Sequence, residues 1–281
     1  MKKNEIIILA AKIAATVFLF YFVNKTVNFN EFPQIGNLGL VFFIAVSFGF
    51  LQQFLLFLRW FFSLKAADIS CSIKSVVKSY FIGQFLGTVS PARSGDLAKI
   101  FYLENTPKKR GLYAVLIDGI VALTTLFLVG LWKNYPQNSP DIILIADKIL
   151  SVAGFLGVVA TIAILIIWRK KKPYKILLAA FFQHVVLVVQ GAILFSILLP
   201  ISFTEASFAV ASAYCLMPLI PITVAAIGVR EFSFALFISA FISYENIEQT
   251  VFVASYILLL CNSIIFMLPG IYLFYSNRKP K

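Results

Sequence analysis

The sequence predicts an all-α polytopic membrane protein with six transmembrane helices, two re-entrant broken-helix hairpins and an inverted repeat. Three observations lead to this fold class: 60% of the 281 residues are hydrophobic, only 13% are charged, and the apolar residues form long runs. Soluble domains carry about 45–50% apolar and about 25% charged residues. The chain therefore lacks the polar side chains that cover a water-exposed surface, and we interpret residues 1–281 as one integral membrane domain.

Six apolar runs are long enough to cross a bilayer, for which a helix needs about 20 residues. They cover residues 6–23, 38–62, 111–132, 149–168, 176–199 and 250–275. The first run follows a basic start, as the apolar part of a signal peptide does. Lys12 interrupts this run and no small-residue cleavage site follows it, so we expect the span to be retained.

The first of two broken apolar regions covers residues 79–105. Its apolar part, residues 79–92, is too short to cross a bilayer. Proline lacks a backbone N–H group and ends a helix, so the pair Ser90-Pro91 predicts a break. We expect a helix that enters the membrane and breaks there, followed by a second helix that begins near Ser94.

The second broken region covers residues 206–243. Pro218 and Pro221 are expected to end a helix that enters from the other side, and Gly228 to turn the chain. A return helix is predicted over 232–243. The alternative treats residues 206–229 as a seventh full span.

The positions of lysine and arginine predict the orientation of the chain in the membrane. If the amino terminus is cytoplasmic and both broken regions return to their side of entry, most of the 24 lysines and arginines are cytoplasmic. This distribution satisfies the positive-inside rule. We therefore expect both termini in the cytoplasm and a location in the bacterial inner (plasma) membrane. The net charge of +12 reflects topology rather than nucleic-acid binding, because the basic residues border apolar runs.

The order of segments repeats along the chain. Residues 1–137 and 138–281 each read span, span, broken region, span, and the odd number of crossings gives the halves opposite orientations. Overlaying the broken regions pairs Thr88-Val89 with Thr223-Val224 and Asp96 with Glu231. Broken segments at matching positions of inverted halves are typical of transport sites.

The candidate site residues lie at the two breaks. They are Pro91, Arg93, Gly95 and Asp96 in the first region, and Gly228, Arg230 and Glu231 in the second. Guanidinium groups and free N–H groups at a helix start bind phosphate, and the carboxylates could orient the arginines or hold a cationic headgroup. Charges inside a membrane are functional by default. A surface ion pair at the first break and a snorkelling arginine at the second are the alternatives.

Other polar residues lie inside the spans. Asp118 is a further candidate for substrate binding and needs a partner, for which Arg59, Arg93 and His184 are candidates. His184 is expected in the core rather than in a proton relay. Five amide side chains are expected to bond between helices: Gln52, Gln53, Gln183, Gln190 and Asn262. The three cysteines are widely spaced and only one histidine is present, so no metal site or other cofactor is predicted.

The motifs Ser90-Pro91-Ala92-Arg93-Ser94-Gly95-Asp96 and Gly228-Val229-Arg230-Glu231 resemble the signature pair of the flippase-like membrane domain of bacterial lysylphosphatidylglycerol synthases. The first motif is similar to Pro-x-Arg-x-Gly-Glu, with Asp96 in the place of the glutamate. The second matches Gly-x-Arg-Glu in full. The resemblance implies paired re-entrant elements that move phospholipid or lipid-linked headgroups between leaflets, with Arg93, Asp96, Arg230 and Glu231 along the path.

These observations favour a lipid flippase that uses no ATP and is not an enzyme. No segment resembles the soluble aminoacyl-transferase domain of the full synthases, so lysine transfer is not predicted. The expected partners are an anionic phospholipid or lipid-linked substrate and the surrounding membrane lipids, with no nucleic acid; homo-oligomerisation is left open. Two alternatives remain: a membrane-embedded transferase with Asp96 or Asp118 as base, and a non-catalytic partner of an envelope biosynthesis enzyme.

Overall fold

The computed structural model describes residues 38–104, 106–136, 139–169, 172–220, 226–242 and 247–276, without the side chains of residue 38 and residues 91–93. The predicted span 6–23 lies outside these ranges, as do Pro221 and the aligned pair Thr223-Val224. The described part of the chain is helical and contains no strand.

The helices follow one another with short connections. In chain order they are α1 (Leu38–Ala66), α2 (Ile73–Val89), a 3-10 helix (Pro91–Tyr102), α3 (Lys108–Val129), α4 (Asp141–Ile167), α5 (Tyr174–Leu198), α6 (Phe203–Leu216), a 3-10 turn (Met217–Leu219), α7 (Val229–Ile238), α8 (Ile247–Leu259), a π-helix (Leu260–Ile264) and α9 (Ile265–Ser276).

Five helical runs among the described residues are long and apolar enough to cross a membrane. They are Gly39–Ala66, Lys108–Val129, Asp141–Ile167, Tyr174–Leu198 and Ile247–Ser276, and the last run joins α8, the π-helix and α9. Each coincides with one of the predicted spans after the first. The chain is therefore a multi-pass membrane protein.

The predicted start of the fourth span was wrong. The sequence predicted a span over 149–168, but α4 already begins at Asp141. An acidic residue in the first turn stabilises a helix start, and this one extends the helix beyond its apolar run. Lys133 folds back onto the extension, with its Nζ 2.6 Å from Asp147 Oδ1 and 2.8 Å from Ser151 Oγ.

A helical hairpin is formed by α2 and the 3-10 helix, and we call residues 73–102 the first hairpin. Its base is closed by Ser75, whose Oγ donates to Tyr102 O at 3.1 Å and accepts from Glu104 N at 3.0 Å. The break at Ser90 confirms the predicted position, but the next helix begins at Pro91 rather than near Ser94. The fixed φ of proline suits the first helical position, which explains the earlier start.

A second hairpin is formed by α6 and α7, and we call its described residues, 203–220 and 226–238, the second hairpin. The Tyr214 ring on α6 packs edge-on against Phe234 on α7, with 5.4 Å between the ring centroids. The return helix runs over Val229–Ile238 instead of the predicted 232–243. It starts earlier because Gly228, at φ 83°, makes the turn directly before it and Glu231 caps its first turn.

The two hairpins enter the helix bundle from opposite ends. At one end, the start of α3 meets the loop after α1, where Arg110 Nη1 donates to Asp68 O at 3.3 Å. That loop leads directly into the first hairpin. At the other end, the segment after α3 carries Trp132, whose Nε1 donates to Ser207 Oγ at the start of the second hairpin at 3.2 Å.

Candidate functional site

A cavity of about 620 Å³ lies between the tips of the two hairpins and the transmembrane helices, and we call it the central cavity. The first hairpin lines it with Gln84, Gly87, Thr88, Ser90 and Asp96, and the second with Tyr214, Met217, Pro218, Ile220, Ala226 and Arg230. Its size falls within the range of about 300–1,000 Å³ found for small-molecule sites. The structure thus brings three predicted site residues, Asp96, Asp118 and Arg230, to one cavity.

Asp118 on α3 is held by Arg59 on α1. Arg59 Nε donates to Asp118 Oδ1 at 2.8 Å and Nη2 donates to Oδ2 at 3.2 Å, which is a bidentate pair. The remaining nitrogen, Nη1, donates to Gln183 Oε1 on α5 at 3.0 Å. Arg59, one of the three predicted partners of Asp118, is thus confirmed, and the pair with Gln183 joins three transmembrane helices beside the cavity.

Lys99 links the first hairpin to this pair, and the sequence analysis missed it. Its Nζ lies 3.2 Å from Asp96 Oδ1 and 3.8 Å from Asp118 Oδ2, and 5.1 Å from the centre of the Trp60 ring. The Lys99 side chain is only 5% exposed. Its apolar stem lies against Gly83, where any larger residue would collide with it.

Spacing was the one signal that could have identified Lys99. It follows Asp96 by three residues, and residues three apart face the same side of a helix. The Asp96 carboxylate was expected to orient an arginine. In the described part of the structure Lys99 forms an ion pair with Asp96, so a lysine supplies positive charge beside this carboxylate.

Arg230 and Glu231 occupy the first turn of α7 and have different surroundings. Arg230 lines the central cavity, as predicted. Glu231 is 7% exposed and does not belong to the described lining; its Oε2 accepts from Gly228 N at 2.5 Å and its Oε1 accepts from Ser255 Oγ at 2.8 Å. Glu231 therefore fixes the turn that presents Arg230 and ties it to α8.

The remaining predicted residues lie at the break of the first hairpin. Pro91 and Arg93 occupy the first turn of the 3-10 helix, and their side chains are outside the described part. Gly95 N donates to Ser90 Oγ at 2.6 Å. A side chain at Gly95 would overlap the carbonyl oxygen of Leu86, so only glycine allows the two arms of the hairpin to approach this closely here.

Amide side chains form a second polar network next to the cavity. Gln53 Nε2 donates to Asn262 O at 2.5 Å, in the π-helix, where the regular helical hydrogen-bond pattern is interrupted. Gln84 Nε2 donates to Gln53 Oε1 at 2.8 Å, and Tyr80 Oη donates to the same oxygen at 2.6 Å. Asn262 Nδ2 also donates to Gln190 Oε1 at 2.8 Å. The amides thus connect helices, as the sequence indicated.

Two further polar residues line the cavity. His184 contacts Thr125 Oγ1 through Nδ1 at 3.1 Å and is buried, in agreement with a core histidine. Gln52 is 6% exposed, and its Oε1 accepts no hydrogen bond from the described residues. An enclosed amide oxygen without a partner is costly, so a donor from a ligand or from water would be stabilised at this position.

No group of three His, Cys, Asp or Glu side chains in the described ranges could hold a metal ion. The central cavity is instead lined by one arginine–aspartate pair, one further acid, one further arginine, amides and hydroxyls, with apolar residues between them. Such a lining suits a ligand with a charged polar part and an apolar part.

Comparison with known proteins gives one family. No curated protein matches the chain. A protein-family model described as the lysylphosphatidylglycerol synthase TM region matches residues 7–190, which is more than half of the chain. The matched part contains the whole first hairpin, Arg59 and Asp118, and it ends within α5, before the second hairpin. The chain belongs to the family of the lysylphosphatidylglycerol synthase transmembrane region.

Proposed function

We propose that this protein binds the polar headgroup of an anionic phospholipid or lipid-linked substrate in the central cavity and carries it between the two leaflets without ATP. One observation carries the proposal: two hairpins enter from opposite ends of the bundle, and their tips line the same cavity. Membership of a family named after a lipid synthase supports a lipid as the ligand.

In this proposal the two hairpins are re-entrant and the halves are inverted repeats. The order of described elements supports it, because α1, the first hairpin and α3 correspond to α5, the second hairpin and the run from α8 to α9. The paired hairpins start from opposite ends, as inverted halves require. Rocking of one half against the other would open the cavity to each leaflet in turn.

The charged residues of the cavity have different roles in this proposal. Arg230 is the phosphate ligand in this proposal, because a guanidinium binds phosphate oxygens through two parallel hydrogen bonds. Arg93 is the second proposed phosphate ligand, because its motif resembles that of the family. Asp96, in contact with Lys99, offers the site for a positive group of a headgroup, whereas Asp118 serves as the anchor for Arg59.

The proposed orientation of the protein in the membrane rests on one end of the bundle, the basic end, where lysines and arginines concentrate. The Lys175 ammonium lies 5.9 Å from the Phe62 ring centre, and the Tyr113 ring lies 6.2 Å from that of Trp168. These contacts place the end of α1, the start of α3, the end of α4 and the start of α5 on one side. Lysines and arginines concentrate there, and we assign this side to the cytoplasm of a bacterial inner membrane.

The contacts of Asp118 weigh against the transferase alternative. A general base must be free to take a proton from a substrate. Asp118 already accepts two hydrogen bonds from Arg59, and Lys99 lies 3.8 Å away. We therefore propose that the protein is not an enzyme.

The test is headgroup exchange between leaflets in vesicles that contain the purified protein. A fluorescent anionic phospholipid is placed in both leaflets, and a membrane-impermeant reductant quenches the outer pool. Wild-type vesicles should lose the protected fluorescence, and Arg230→Gln and Asp96→Asn should slow the loss at least about tenfold. Arg110→Gln, at the basic end, is the matched control. Wild-type vesicles that behave like protein-free vesicles would reject the proposal.

A second measurement distinguishes a translocator from a non-catalytic partner of an envelope biosynthesis enzyme. If the protein only supports an envelope biosynthesis enzyme, that enzyme should co-purify with it, and Arg230→Gln should leave the complex and the cell envelope unchanged. Loss of leaflet exchange in the same variant would favour the translocator.

A further inference from the structure

Gly119, halfway along α3, differs from most glycines in the described helices. A helix-interior glycine costs about 0.5–1 kcal/mol relative to alanine, so a close contact usually explains it. Each of the other described helical glycines except Gly39, at the start of α1, has a neighbouring atom within 3.1 Å of the position that a Cβ would take. Gly119 has no atom of the described residues within 4 Å of that position. Packing therefore does not require glycine at this position.

Gly119 also lies where the cavity wall meets the outer surface of the protein. It is exposed, and it lines the central cavity. The same holds for Leu123, one turn further along α3. Their neighbours Leu116 and Ile120 are exposed apolar residues of a membrane-spanning helix, which is the composition of a surface that faces hydrocarbon.

The wall that α3 contributes to the cavity is mostly apolar. We call Val115, Gly119, Ala122, Leu123 and Leu126 the α3 strip; all five line the central cavity. The rest of the lining includes Arg59, Asp96 and the enclosed oxygen of Gln52, which accepts no hydrogen bond from the described residues. A ligand that satisfies both parts has a hydrogen-bonding headgroup and a hydrocarbon portion.

We propose that the α3 strip is a lateral portal through which the acyl chains of a bound lipid extend into the bilayer while its headgroup occupies the central cavity. This inference rests on the proposed function, and it adds the route of entry and the class of ligand. The absent side chain at Gly119 keeps the portal open about 16 Å along α3, near the middle of the span. A hydrocarbon chain gains nothing by leaving the bilayer, so a lateral opening spares it from crossing the polar cavity.

The test fills the portal. Gly119→Trp places a large ring at the opening, and Gly119→Ala adds only a methyl group. Gly39→Trp is the matched control, because Gly39 has equally open space but does not line the described cavity. In the vesicle assay, Gly119→Trp should slow lipid exchange at least about tenfold, whereas Gly119→Ala and Gly39→Trp should match the wild type.

A modification made after folding provides a control in case the tryptophan variant misfolds. Gly119→Cys, combined with Cys71→Ser, is purified and then treated with an alkyl thiosulfonate that forms a mixed disulfide. Exchange should fall on modification and recover on reduction. Unchanged exchange after confirmed modification would overturn the portal while leaving the proposed function intact.

If the wild type exchanges no lipid, the proposed function is rejected but the portal is not. A binding measurement tests the portal in that case. A phospholipid with a thiol-reactive group in the middle of one acyl chain is added to the Gly119→Cys variant. Its reaction should slow when Arg230→Gln is added, because the headgroup no longer anchors the chain at the portal. A soluble glycerophosphodiester should compete with it. Reaction at the same rate with and without Arg230→Gln would reveal contact with bulk lipid only and would overturn the inference.

Discussion

Asp96 and Arg230 come from hairpins that start at opposite ends of the protein, yet both line the same cavity. Each lies within one or two turns of the break in its hairpin, where the chain interrupts its helix. Irregular backbone at membrane depth is tolerated where protein or a wet cavity covers it. Ser90 at the first break and Ala226, just before the turn into α7, both line the cavity, so the chain beside each break has such a cover.

The Arg59–Asp118 pair should be important for stability. Removing one partner of a buried ion pair leaves a charge without compensation and costs about 3–5 kcal/mol. Asp118→Asn should lower the free energy of unfolding by this amount, measured by unfolding in mixed detergent micelles. Asp141→Asn, at the exposed start of α4, is the control. The double variant Arg59→Met with Asp118→Leu should regain part of the lost free energy of unfolding. A double variant less stable than Asp118→Asn would contradict the account.

Lys99 should hold the first hairpin against α3. Lys99→Met removes the cation that lies near both Asp96 and Asp118, while the stem beside Gly83 is kept. Two neighbouring carboxylates then repel each other, and the hairpin should open more often. Amide hydrogen exchange in residues 91–102 should accelerate at least about tenfold. Lys148→Met on α4 is the control, and equal exchange in both variants would reject the role of Lys99.

Glu231 should act by positioning Arg230. Glu231→Gln keeps an oxygen that can accept from Gly228 N, so leaflet exchange should stay close to that of the wild type. Glu231→Ala loses the cap, which costs about 0.5–2 kcal/mol, and the contact with Ser255, so exchange should fall strongly. If Glu231 bound a cationic headgroup directly, Gln and Ala would fail alike.

Cys71 reports the side of the membrane on which the first hairpin has its base. Burial and the nearby Glu104 carboxylate raise the pKa of the Cys71 thiol, so little thiolate is present at neutral pH. Labelling by an impermeant maleimide should therefore speed up about tenfold per pH unit below that pKa. Glu104→Gln lowers the pKa and should speed up labelling at pH 7. Cys215 and Cys261 are buried and serve as internal controls.

The same labelling tests topology. With the basic end in the cytoplasm, Cys71 should react in inside-out membrane vesicles and stay protected in intact cells. Labelling in intact cells would reverse the proposed orientation.

The sequence predicted the features that composition and backbone chemistry determine locally. Long apolar runs predicted five observed helices that can span a membrane, and Ser90-Pro91 predicted the break, because proline lacks the N–H group that the preceding helix would need to continue. The sequence singled out the charged residues Asp96, Asp118 and Arg230, and all three line the central cavity. These signals need no knowledge of which helices are neighbours.

The rest depended on tertiary contacts. The role of Glu231 follows from Ser255 on another helix, and the role of Lys99 from its approach to Asp118. The first turns of α4 carry charged residues that hydropathy places in a loop, and one of them, Asp147, forms an ion pair with Lys133. Gly119 was not singled out, because an isolated glycine in a helix acquires meaning only when its surroundings are known.

Photochemical mapping of a bound lipid would examine the shared cavity most directly. A phospholipid with a photoreactive group in its headgroup is irradiated with the purified protein, and the labelled residues are identified by mass spectrometry. We expect label on both Gly87–Asp96 and Tyr214–Arg230, displaced together by unlabelled lipid. Label confined to the ends of the spans or to the lipid-facing surface of α4, with neither hairpin tip modified, would contradict a headgroup site between the two tips.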